Sequence, residues 1–136
     1  MTGKEVQAER FEKLIDELIE KNYEYADALE GFRYWSDDQS FRTVYYYLVC
    51  IINFLKDRNK SVEDLKLDDW TRYAAKQRKF SSSNQITKYS AIKRFAEYLE
   101  ASERLENNFM VKAKRPKFVE TKEQIDLLLM EVAVST

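Results

Sequence analysis

The chain has 136 residues, enough for one domain with its own core, and its 44% hydrophobic content excludes a disordered tail. No histidine, one cysteine, two glycines and one proline exclude a histidine base, a zinc site, an internal disulfide and a glycine-rich phosphate loop. The net charge of −1 conceals a segregation: residues 1–71 hold 10 basic and 16 acidic side chains, 72–117 hold 12 and 4, and 118–136 hold 1 and 4, giving −6, +8 and −3.

Scarce glycine and proline predict a nearly all-helical, all-α fold. Phe11, Leu14, Ile15, Leu18, Ile19, Ala26 and Leu29 recur at spacings of three and four, which predicts a first helix from residue 4 to about residue 30. Glu5, Glu9 and Glu12 favour the positive end of its dipole, and Gly31 is placed to end it. This acidic helix either packs on the domain or serves as a partner-binding or dimerising surface.

A second helix starts at Ser36, through an S-x-x-Q capping box with Gln39, or one turn later at Ser40. It runs to about Asp57 or Arg58, with Phe41, Val44, Tyr45, Leu48, Ile51, Ile52 and Leu55 on one stripe. Tyr46, Tyr47, Val49, Cys50 and Phe54 widen that stripe almost all round, as in the central helix of a bundle. Cys50 reads as a buried, inert thiol, consistent with a reducing cytoplasm. The absence of a signal peptide and of any apolar run near roughly 20 residues points to a soluble, cytoplasmic chain with no membrane partner.

Ser61 can cap a short turn, and Asp68 a helix from Asp69 to about Arg78. Trp70, Tyr73 and Ala74 can face inward there, leaving Arg72, Lys76 and Lys79 outside. A second S-x-x-Q pair, Ser82 and Gln85, opens the next helix. At about 100° per residue, Ile86, Tyr89, Ile92, Ala96 and Leu99 share one side with Phe95 at its edge. Thr87, Ser90, Ala91 and Arg94 lie opposite, flanked by Asn84 and Lys88. A small, hydroxylic face with a cation at its centre can approach a phosphate backbone or a groove, although a plain solvated surface has the same composition. After the acidic turn ASERLENN come Lys112, Lys114, Arg115 and Lys117, read as phosphate contacts or as a solvated linker. Thr121 and Gln124 form a T-x-x-Q start to a last helix, which looks like the opening of something larger. Acidic pairs such as Asp37/Asp38 and Asp68/Asp69 sit at helix starts, where capping accounts for them; no catalytic constellation emerges.

In order, these pieces resemble the N-terminal core-binding (SAM-like) domain of the tyrosine recombinase, or phage integrase, family over about residues 40–130. The family's helix T-x-x-x-Y-x-x-x-L-x-x-F-x-x-F-L is similar to SFRTVYYYLVCIINFLKDR through Thr43, Tyr47, Ile51, Phe54 and Leu55. Its acidic second-helix start is similar to DLKLDDWTRYAAKQ. Its third helix, S-A-hydrophobic-R-x-F-x-x-Y-L, is similar to Ser90, Ala91, Ile92, Lys93, Arg94, Phe95, Tyr98 and Leu99. Asn108 and Pro116-Lys117 fit the family's "N-P" and "P-K" turns, with Phe109 where the first proline is expected. TKEQIDLLLMEV resembles the helix that opens the catalytic domain.

The resemblance implies a four- to five-helix SAM-like orthogonal bundle, residues 36–117, with an extra acidic N-terminal helix over 1–35 and a linker plus first catalytic-domain helix over 118–136. It implies a non-catalytic arm that clamps double-stranded DNA at a recombination site beside other recombinase protomers, in DNA integration and recombination. The family's catalytic arginines, lysine, histidine and nucleophilic tyrosine belong to the second domain. No cofactor, metal or small-molecule substrate is expected. The DNA-contacting set is Arg72, Lys76, Lys79, Asn84, Thr87, Lys88, Ser90, Arg94, Lys112, Lys114, Arg115 and Lys117. The competing expectation is a helical protein-interaction or dimerisation module.

Overall fold

The apolar stretch around residues 45–55 forms the helix on which three of the others pack. In the computed structural model, which describes residues 3–117 (Lys4 through its backbone alone), it spans Phe41–Arg58. Numbered in chain order, the helices are α1 (Gly3–Lys21), α2 (Ala26–Trp35), α3 (Phe41–Arg58), α4 (Leu67–Gln77) and α5 (Ser82–Ala101). Short 3-10 turns occupy Tyr23–Tyr25 and Val62–Asp64. No strand occurs among the described residues, so the fold is an all-α bundle with an extra helix at its N-terminus. The helix expected after Thr121 lies outside the described residues.

α3 packs against α1, α4 and α5, burying Val44, Leu48, Ile51, Ile52, Phe54 and Leu55. Ser40 is its N-cap, its hydroxyl accepting from the Thr43 N–H at 3.2 Å. Ser36, the other candidate cap, instead ends α2 and is completely buried. Asn59 closes α3 in the left-handed conformation that asparagine tolerates. The tyrosine triplet is rim packing: Tyr45 and Tyr46 meet the Phe11 ring of α1 at 5.7 and 6.3 Å.

The single first helix expected from residue 4 to about residue 30 is two helices. Asn22 occupies an interior position of the apolar stripe, and its side-chain amide donates to the Leu18 carbonyl at 2.7 Å. That bond satisfies the end of α1 and competes with further helix, so the chain turns through Tyr23–Tyr25 before α2. Gly31 therefore ends nothing and lies within α2. Its role is steric: a Cβ there would sit 1.7 Å from the hydroxyl oxygen of Tyr98 on α5.

Two further starts move by a residue or two. α4 begins at Leu67, and Asp68 is not its cap. Asp69 reaches back instead, its carboxylate accepting from the Lys66 N–H at 2.9 Å. α5 is capped by Ser81, which accepts from the Asn84 N–H at 3.2 Å, while Gln85 donates to the Phe80 carbonyl. No helix among the described residues is long and apolar enough to cross a membrane.

Candidate nucleic-acid interface

Interior demands fix which side of α5 is left for contacts. Tyr89, Ala91, Ile92, Phe95, Ala96, Tyr98 and Leu99 are all buried. Ala91, expected on the outer face, is fully buried because α2 covers the side of α5 on which Tyr98 lies seven residues later. There Tyr98 meets the rings of Phe32 and Trp35 at 6.1 and 5.9 Å. The outward strip runs instead through Asn84, Thr87 and Lys93, with Ser90 and Arg94 half-buried along it. Thr87 turns its hydroxyl to the Ser83 carbonyl at 3.0 Å.

The expected cationic contacts fall into three groups. Arg72, Lys76 and Arg94 are held by carboxylates. Arg72 pairs with Asp68 at 2.7 Å and Lys76 with Asp57 at 3.0 Å. Arg94 pairs with Asp38 at 2.7 Å, and its guanidinium lies 4.9 Å from the Trp35 ring centre. Arg104 behaves likewise with Asp27. All four acids come from residues 1–71, so folding neutralises part of the charge separation read along the chain.

Lys79 and Lys88 form the second group, at the α4–α5 turn. The Lys88 ammonium donates to the Gln77 side-chain oxygen and lies 4.0 Å from the Phe80 ring centre. Burial lowers its pKa, with Cys50 opposing and Lys79 reinforcing the effect. Cys50 itself is half-buried, its thiol pushed up by burial, as an unreactive cysteine should be.

The third group is the exit segment after α5. Phe109 stacks on Phe54 with centroids 6.3 Å apart and planes 12° apart, and Met110 is fully buried. The Asn108 side chain accepts from the Met110 N–H at 2.8 Å, and the Asn108 N–H donates to Glu100 at 3.1 Å. Phe109 is thus a core anchor where a proline was expected. These contacts fix the start of the segment that exposes Lys112, Lys114, Arg115 and Lys117.

Arg115 lies back beside α5. With Tyr47, Tyr89, Ser90, Lys93, Arg94 and Glu97 it lines an open groove of about 390 Å³. Three cations and three hydroxyls meet there against one carboxylate, a composition able to hold a phosphate-bearing ligand. Sequence reasoning had three of these residues, Ser90, Arg94 and Arg115; it missed Lys93, Tyr47 and Tyr89 as lining. Lys93 had a signal, since it adjoins Arg94, but the tyrosines enter only through the packing of α3 on α5. No protein-family model, curated protein or solved structure matches the chain.

Proposed function

We propose that the chain is a DNA-holding arm, the core-binding domain of a tyrosine site-specific recombinase. The observation that carries DNA contact is the groove in which Lys93 and Arg115, neither paired with a carboxylate among the described residues, flank the hydroxyls of Tyr47, Tyr89 and Ser90. Arg94 stands beside them with its charge shared by Asp38. Cations next to hydroxyl donors suit the phosphate oxygens of a duplex, and such contacts position a protein without reading sequence. The ordered motifs from Thr43 to Lys117 supply the recombinase part of the reading.

Fluorescence anisotropy with a labelled duplex tests it. Raising salt from about 50 to about 200 mM should weaken binding by roughly 100-fold or more. Lys93→Ala with Arg115→Ala should weaken it at the lower salt. Absence of binding to every duplex tried at low salt, cognate sites included, would end the proposal.

A further inference from the structure

α4 ends at Gln77 and α5 begins at Ser82, and the turn between them leaves Phe80 40% exposed. One exposed phenylalanine is ordinary on a protein surface. This one is held in place and flanked by charge. Its N–H donates to the Gln77 carbonyl at 3.0 Å, and its own carbonyl accepts from Gln85 at 2.8 Å. Lys88 reaches back from α5 to within 4.0 Å of the ring centre, and the Lys79 ammonium lies 5.3 Å from it. Neither lysine has a carboxylate partner among the described residues.

The turn therefore carries an apolar ring, on a hydrogen-bonded backbone, between two cations and ahead of a 20-residue helix. An apolar residue between cations matches a nucleic-acid groove, where sugar and base edges form the floor and phosphates the walls. We infer that the α4–α5 turn is a second duplex contact, in which Phe80 enters a groove while Lys79 and Lys88 engage phosphates on either side. This rests on the DNA-binding reading above and extends it to a residue that carries no charge.

An apolar contact and a phosphate contact respond differently to salt. Anisotropy titrations of the full chain with a fluorescein-labelled duplex, over a salt series, separate them. Phe80→Ala should bind roughly tenfold more weakly at every salt with an unchanged slope, and Phe80→Leu should recover part of the loss. Lys79→Ala should reduce the slope by about one. Urea melts of both Phe80 variants should match the wild type, because the ring is not part of the core.

If the wild type binds no duplex, the DNA-binding reading falls and this inference with it. If the wild type binds and Phe80→Ala is indistinguishable from it, the turn contact alone is overturned. Loss of binding to vesicles of phosphatidylserine and phosphatidylcholine in Phe80→Ala, with duplex binding intact, would also overturn it, in favour of a lipid surface.

Discussion

Gly31 is where one residue's identity most constrains the packing. Its backbone is helical, so alanine would gain about 1 kcal/mol of helix propensity if space allowed. Space does not allow it. The added Cβ would meet the Tyr98 hydroxyl at 1.7 Å and ring carbon Cζ at 2.7 Å. Tyr98 cannot swing aside cheaply, being 5% exposed among the rings of Phe32, Trp35 and Phe95. Its hydroxyl also accepts from Arg104 at 3.0 Å. Gly31→Ala should therefore destabilise the protein by a net of about 1–2 kcal/mol in urea titration, the overlap exceeding the propensity gain. In a Tyr98→Phe background the same substitution should cost less but still something, because the ring carbon remains. Equal stability of Gly31→Ala and wild type would show that Tyr98 moves freely.

Among the elements, the junction between α3 and α4 is organised by Asp69. Its carboxylate is almost wholly buried and accepts from Arg58 at 3.0 Å, Lys60 at 3.2 Å and the Lys66 N–H at 2.9 Å. One side chain thus ties the end of α3, the connecting loop and the first turn of α4. Burial alone would raise its pKa, but the hydrogen bonds from Lys66, Lys60 and Arg58 outweigh burial and hold it below the usual carboxylate range. A depressed pKa in the folded state means stability that is fully present above the unfolded value of about 4 and is lost as pH falls through the lower folded value. Asp69→Asn should cost about 2–3 kcal/mol near neutral pH and flatten that part of the acid limb in urea titrations run across pH. An unchanged acid limb would refute the clamp. Sequence reading found the acidic pair and assigned it to capping, but chose Asp68. Choosing between neighbours required knowing that Arg58 and Lys60 converge on position 69. The break at Asn22 was visible as a polar residue in an apolar stripe, yet periodicity joins residues on either side of a break as readily as within one helix. Ser81 rather than Ser82 caps α5 for a similar reason: three consecutive serines offer equivalent caps, and tertiary packing of the turn selects one.

Over the whole molecule, the core was legible because α3 is apolar around most of its circumference and must be surrounded. The interface was less so. A charge count along the chain treats each cation as available, whereas Arg72, Lys76, Arg94 and Arg104 are joined to Asp68, Asp57, Asp38 and Asp27. Eight of the twelve cations in residues 72–117 have no carboxylate partner among the described residues: Arg78, Lys79, Lys88, Lys93, Lys112, Lys114, Arg115 and Lys117. They cluster at the α4–α5 turn, on α5 and along the exit. Each phosphate engaged releases counterions, so the logarithm of affinity should fall with the logarithm of salt at a slope of about −0.9 per contact. If the exit's four cations each take a phosphate, replacing Lys112, Lys114, Arg115 and Lys117 together by alanine should make the slope shallower by about 3 to 4. Stability should hardly change, since Phe109 and Met110 anchor the segment and the four side chains are exposed. By contrast, Arg72→Ala and Lys76→Ala should leave the slope almost unaltered, because their charges are already balanced within the fold. A slope set equally by both groups would mean that the internal pairs open on binding and that charge along the chain, not its pairing in the fold, governs the contact.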